Sequence, residues 1–381
     1  MIDGEKSKKL LIVVNVDWFF LSHRLSIAKV ALVQGYEVHL ATDLTEGKER
    51  LEAYGFQVHP LQVDRSAAGP LNLLILWWRL LRLFWRLRPD VLHLVTIKPV
   101  LLGGLAARLA PLGGVVYAIS GLGHVFVARG VWGRLRRAAV GAWYRVVLGA
   151  RNMRVIFQNP DDHAALAAVA PLRPEQVVMI PGSGVDLRAY PALPLPTGQP
   201  MVMMAARLLM TKGVAEFVQA AQLLKAQGMD ARFCLVGDAD PANPASVDMA
   251  QLEAWRQQGA VELLGHRADM AGLMAQAAIV VLPSYREGLP KVLIEAAACG
   301  RAVVTTDVPG CRDAIEPNVT GLLVPVRNAQ ALADAIAQLL RNPLQCSAMG
   351  LAGRQRAERL FDVQAVVQTH LALYQELLEA A

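Results

Sequence analysis

Residues 190–206 read YPALPLPTGQPMVMMAA. Four prolines, Pro191, Pro194, Pro196 and Pro200, fall in its first eleven positions. Proline lacks an amide proton and locks φ, so this run suits neither a helix interior nor a central strand. It reads as an extended linker. The apolar run behind it reads as the first strand of a new domain.

On both sides of the linker, apolar runs alternate with helical periodicity. Before it, strands are expected at 10–16, 37–41, 91–95, 115–119 and 154–158. Helices are expected at 22–34, 71–87, 100–110 and 132–148. After it, strands are expected at 201–206, 233–236, 261–264, 279–282, 302–305 and 321–324. Such alternation implies parallel sheets covered by helices. With 381 residues, two doubly wound α/β domains are the simplest account. The expected division is 1–190 for the first domain, 191–200 for the linker and 201–381 for the second. The last helix is a candidate to pack back on the first domain. Ligands of such sheets bind beyond the carboxyl ends of the strands, so the cleft between domains is the expected site.

Bulk properties narrow the class. Hydrophobic residues make up 54% and charged residues 18%, which excludes a disordered chain. The cysteines, Cys234, Cys299, Cys311 and Cys346, show no CxxC or Cys/His spacing, so a zinc site or disulfide framework is not suggested. The run LIVVNV at 11–16 reads as a strand rather than a signal-peptide core. No uninterrupted apolar stretch reaches the roughly 18 residues that a spanning helix needs. Charge is uneven. Residues 1–193 hold 23 Lys/Arg against 14 Asp/Glu, and the remainder holds 15 against 18. A basic half interleaved with Trp and Leu suits an anionic membrane surface better than nucleic acid, for which no binding module is visible.

The chemistry concentrates after the linker. Leu282–Glu295 reads LPSYREGLPKVLIE, a strand end, a loop and a helix start near Pro290 or Lys291. Amides at a helix start attract phosphate oxygens, and Gly288 allows close approach to a ligand. Seven residues separate Glu287 from Glu295. Ala206–Gly213, ARLLMTKG, sets Arg207 and Lys212 in a loop ahead of a helix. Two fixed cations can neutralise a departing diphosphate without a metal. The blander reading makes all four ordinary surface or helix-end charges. A paired-carboxylate glycosidase is disfavoured because that chemistry does not call for the cations. Asp238-Ala-Asp240 has the look of a carboxylate pair for a divalent ion, but supplies few ligands.

These stretches, with IPGSGVD at 180–186, LVGD at 235–238 and the run EGLPKVLIEAAACGRAVVTTDVPG from Glu287, resemble the family-4 retaining glycosyltransferases of the GT-B fold. The resemblance spans nearly the whole chain and is densest at 180–325. It implies that Arg207 and Lys212 bind the donor diphosphate. Glu287 would contact the donor sugar, with the Gly288 and Leu289 amides beside it, and Glu295 would hold the ribose hydroxyls. Gly237, His266 and Arg267 would lie near the nucleobase. It also implies a nucleotide-sugar substrate, with no cofactor and no catalytic metal.

In the first half, NVDWFFLSHR at 15–24 reads as a loop after the first strand and lacks the glycines of many relatives. This form, with VLHLVTIKPVLLGGLAAR at 91–108 and AISGLGHVF at 118–126, is similar to the subgroup that extends sugars on undecaprenyl diphosphate in O-antigen or capsule synthesis. By position, Ser22, His23, Arg24 and Lys98 are expected to face the acceptor. His124 is a candidate catalytic residue, with a packing role as its alternative. In Leu74–Arg88, LILWWRLLRLFWRLR, Arg79, Arg82 and Arg86 recur at helical spacing with Trp78, Leu81 and Trp85 alongside. A helix with Arg to one side and Trp/Leu to the other suits a lipid interface. Its bland alternative is a core helix with a solvated Arg face. Further Arg and Trp follow at 129–154.

The expectation is a glycosyltransferase moving a sugar from a UDP-sugar to a lipid-linked acceptor, peripheral on the inner face of the cell membrane. The alternatives are a non-hydrolysing UDP-sugar epimerase and a catalytically silent nucleotide-sugar-binding subunit.

Overall fold

The computed structural model describes residues 7–45, 47–61, 69–122, 130–150, 152–241 and 243–380, with the backbone alone for 130–137. The chain forms two compact units. One comprises residues 1–183 with 364–381, the other residues 184–363.

The first unit is built on a parallel sheet of β1 (Lys9–Val16), β2 (Glu37–Asp43), β3 (Gln57–Pro60), β4 (Val91–Val95), β5 (Gly114–Ile119), β6 (Met153–Phe157) and β7 (Val177–Met179). Their order is β3-β2-β1-β4-β5-β6-β7. The central strands are buried on both faces, which is why they read as continuous apolar runs. β3 and β7 escape the sequence reading. Both are short edge strands, QVHP and VVM, too brief for a periodic signal.

Residues 15–24 are not the expected loop. Asp17–His23 is a helix that leaves β1 directly. The buried Asp17 carboxylate anchors its first turn, accepting from Trp18 N and from Thr45 N and Oγ1 at 2.5–2.8 Å. Phe20 buries its ring edge-on against Phe56. A second helix, Leu25–Val33, starts at Arg24. The helix expected at 100–110 opens instead as a wide π turn, Pro99–Gly103, before an α turn at Gly104–Ala107.

Helix Val363–Glu379 closes this unit, whose residues include 364–381. Buried Tyr374 lies with its hydroxyl 2.7 Å from His93 Nδ1 on β4, and Asn152 Nδ2 donates to Leu377 O.

The second unit repeats the pattern with β8 (Met201–Ala205), β9 (Arg232–Val236), β10 (Glu262–Gly265), β11 (Ile279–Leu282), β12 (Ala302–Thr306) and β13 (Gly321–Val324). All pairings are parallel, in the order β10-β9-β8-β11-β12-β13. The order reverses between β8 and β11, the position where doubly wound sheets receive ligands at their carboxyl ends. Residues 187–200 hold no regular secondary structure, yet they are held firmly. Fully buried Arg301 donates to Leu193 O and Pro194 O, and Arg354 to Tyr190 O.

Candidate functional site

The loops leaving β8 and β11 carry most of the expected donor residues. After β8, Met210–Lys212 makes one 3₁₀ turn closed by Gly213. After β11, Pro283–Pro290 leads into helix Lys291–Ala298. The loops are joined through the backbone, Tyr285 N donating to Thr211 O at 2.9 Å. This junction brings Lys212 Nζ to 2.5 Å from Glu287 Oε1. Buried Ser284 donates from Oγ to the same oxygen at 2.7 Å. Behind them, Thr305 Oγ1 donates to Leu282 O and Thr306 Oγ1 to Ser284 O, pinning the loop to β12.

Gly310 fixes the other side. It has φ +82°, and a Cβ there would lie 2.6 Å from the Glu287 carbonyl and Gly288 O. Only glycine combines that conformation with that approach. Glu287 N in turn donates to Pro309 O. Cys311, next in the chain, has its thiol pushed up to about 12 by burial and by nearby Glu287, so it stays protonated.

Arg207 is held from another direction, its guanidinium 3.0 Å from Asp240 Oδ2. The Asp238/Asp240 pair therefore includes a carboxylate engaged with a cation. Gly237 follows β9 with φ +123°, donates from N to Gly265 O, and sits so close to the Ala206 carbonyl that a Cβ would be 2.0 Å away. The ends of β8, β9 and β10 are thus drawn together. His266 is exposed just past β10, and Arg267 forms a bidentate pair with Asp269 at 2.7–2.8 Å.

Glu295 lies in the helix after the β11 loop and is almost buried. Its Oε1 receives both Lys291 Nζ and the Tyr190 hydroxyl at 2.9 Å. Gly288 and Leu289 are buried in the loop before the helix, whose first amides have no partner within it. Sequence reasoning missed Ser284 and Tyr190. Tyr190 carries no spacing signal, because its carboxylate lies 105 residues further on. Ser284 sits only three residues before Glu287, within Leu282–Glu295, and escapes notice because a lone serine in a loop is an ordinary turn residue.

In the first unit the expected acceptor residues scatter. Ser22 is exposed, and His23 stacks on Phe19 with its Nδ1 3.2 Å from Phe19 O. Lys98 lies just after β4, at the start of the π turn. Arg24 corrects the expectation, for it is 2% exposed and faces inward. Its Nη1 donates to His23 O. Burial lowers its pKa to about 10, with Tyr374 opposing the fall. The tight junction of the two helices turns it into the interior near His93 and His370. His124 lies outside the described residues.

On helix Pro70–Leu87, Trp78 and Trp85 are 59% and 51% exposed, and Arg79, Arg82 and Arg86 share that outward face. Leu81 does not; it packs in the core with Leu76, Leu80 and Phe84. The Trp and Arg residues are neighbours on one face rather than opposite faces. Exposed Leu71, Leu74 and Ile75 extend it. Trp85 Nε1 donates to the carbonyl of exposed Leu109, and exposed Trp143 donates to Leu101 O, so the apolar surface continues onto the neighbouring helices. No helix among the described residues is long and apolar enough to cross a membrane.

Two parallel α/β units, the second carrying its paired charges where the strand order reverses, define a GT-B-fold glycosyltransferase. Glycosyl transferases group 1 matches residues 199–342, and Glycosyl transferase 4-like matches residues 9–144. The chain belongs to this group 1, family-4-like set of glycosyltransferases. It is 28% identical to the N,N'-diacetylbacillosaminyl-diphospho-undecaprenol alpha-1,3-N-acetylgalactosaminyltransferase of Campylobacter jejuni, over 94% of this chain and 98% of the relative. Sucrose-phosphate synthase from Thermosynechococcus elongatus superposes with a TM-score of 0.79 at 22% identity, over 98% of this chain and 100% of that one. Anabaena HepE in complex with UDP and glucose gives 0.73 at 20% identity, over 96% and 98%. At such identities these structures speak for the fold.

Proposed function

We propose that this glycosyltransferase moves a sugar from a UDP-sugar to a saccharide carried on a polyprenyl diphosphate, with retention of anomeric configuration, in the building of a surface glycan such as O-antigen or capsule. The observation that carries the donor half is the Lys212–Glu287–Ser284 cluster at the switch point of the second sheet. As the glycosidic bond breaks, negative charge grows on the leaving diphosphate. Lys212, Arg207 and the amides at Gly288, Leu289 and the helix start stabilise it. Glu287 and Asp240 hold the two cations in place beforehand, so little reorganisation accompanies the reaction. Glu287 also contacts the donor sugar, and Glu295 the ribose. Gly237, His266 and Arg267 serve the base. No metal enters, since the cations do its electrostatic work.

The acceptor half is supported by the bacterial relative, whose own activity is on an undecaprenol-linked sugar. Ser22, His23 and Lys98 are the acceptor candidates, and His124 a candidate for assisting proton movement. The exposed Trp78, Trp85, Arg79, Arg82 and Arg86 give the protein a peripheral hold on the anionic inner face of the membrane, where such an acceptor resides.

The test is an assay of freed nucleotide across UDP- and GDP-sugars with synthetic polyprenyl-diphosphate sugars, with and without chelator. The expected result is acceptor-dependent UDP release that survives chelation. Release confined to GDP donors, or abolished by chelator, contradicts the proposal.

A further inference from the structure

We infer that Tyr190 is a positioning residue for the nucleotide ribose, acting through Glu295. The inference rests on the reading of Glu295 as the residue that holds the ribose hydroxyls.

The placement is built from the sequence upward. Asp186 ends the PGSGVD stretch, and its Oδ1 accepts from Arg188 N and Ala189 N. Tyr190 N donates to Asp186 O, completing a turn that delivers Tyr190 to the helix bearing Glu295. Arg354 then locks it there. One nitrogen, Nη1, donates to Tyr190 O at 2.9 Å and to Ala298 O, at the far end of that helix, at 2.8 Å.

The consequence is an asymmetric carboxylate. Tyr190 and Lys291 both bind Oε1 of Glu295, and among the described residues no donor reaches Oε2. A carboxylate can accept several hydrogen bonds, so the remaining oxygen is presented to an incoming diol. The tyrosine holds its proton: burial, then the adjacent Glu295 charge, raise its pKa. It therefore donates to the carboxylate oxygen. Lys291 alone cannot set the orientation, since its flexible stem is partly exposed, whereas Tyr190 is a stiff ring whose backbone carbonyl is held by Arg354 and whose hydroxyl meets Glu295.

The test compares binding of UDP and 2',3'-dideoxyuridine diphosphate by calorimetry, in the wild type and in Tyr190→Phe. The wild type is expected to prefer UDP. Tyr190→Phe should weaken UDP roughly tenfold, the scale of one hydrogen bond to a charged group, and leave the dideoxy nucleotide unchanged. Equal weakening of both nucleotides, or of neither, overturns the inference. A wild type that binds both alike overturns the ribose reading of Glu295 itself.

Discussion

Lys212 Nζ lies 2.5 Å from Glu287 Oε1, and that oxygen also accepts a hydrogen bond from Ser284 at 2.7 Å. A cation held this way is oriented before any substrate arrives. Lys212→Ala should therefore lower kcat by roughly 10²–10³-fold, the usual loss when a preorganised charge-stabilising group is removed. Circular dichroism should be unchanged, because Lys212 contributes nothing to the core. Near-normal turnover would remove Lys212 from the chemistry.

Gly310 supports the same loop from beneath. Gly310→Ala forces a Cβ into the 2.6 Å approach to Glu287 and Gly288 at a positive φ. The expected cost is about 1–3 kcal/mol of stability, with loss of turnover as Glu287 shifts away from Lys212. Thermal unfolding and rate measured on one preparation check both; full activity would show the loop tolerating displacement.

The face of helix Pro70–Leu87 predicts a salt-sensitive membrane hold. Changing Arg79, Arg82 and Arg86 to Glu should release the protein from anionic vesicles, since each basic residue near such a surface contributes about 1 kcal/mol. Trp78→Ala with Trp85→Ala should weaken binding with less salt dependence. Cosedimentation with the charge-reversed variant still bound would place the contact elsewhere.

Acid should loosen the first unit. Burial, then the Arg24 charge, hold His370 down at about 3, and His93 is held well below its usual value by burial and by His370. Each stays neutral in the fold and takes a proton on unfolding. Their contribution is whole above pH 6.5 and falls as pH drops toward 3, by up to about 1.4 kcal/mol per unit for each. Half-buried His59, held near 4 by burial and then His39, acts in the same direction. Urea midpoints should decline from pH 7.5 to 5, and less steeply in His370→Gln. A flat profile would contradict the buried neutral histidines.

Much of this architecture is legible in the sequence because its signals are local. Continuous apolar runs reveal the central strands, and the Glu287/Glu295 spacing survives because strand end, loop and helix are contiguous. What could not be read is pairing at a distance. Lys212 meets Glu287 across 75 residues and Tyr190 meets Glu295 across 105, and no periodicity encodes such encounters. Arg24 looked available for an acceptor because its burial depends on a helix more than 300 residues later. Leu81 shares the spacing of Trp78 and Trp85, but its slightly different angle round the helix carries it into the core.

The diphosphate claim meets its most direct test in calorimetric titration of UDP and uridine into the wild type and Lys212→Ala. The wild type should strongly prefer UDP, the variant should lose most of that preference, and uridine should bind both proteins alike. A variant that keeps the full preference for UDP would contradict the claim.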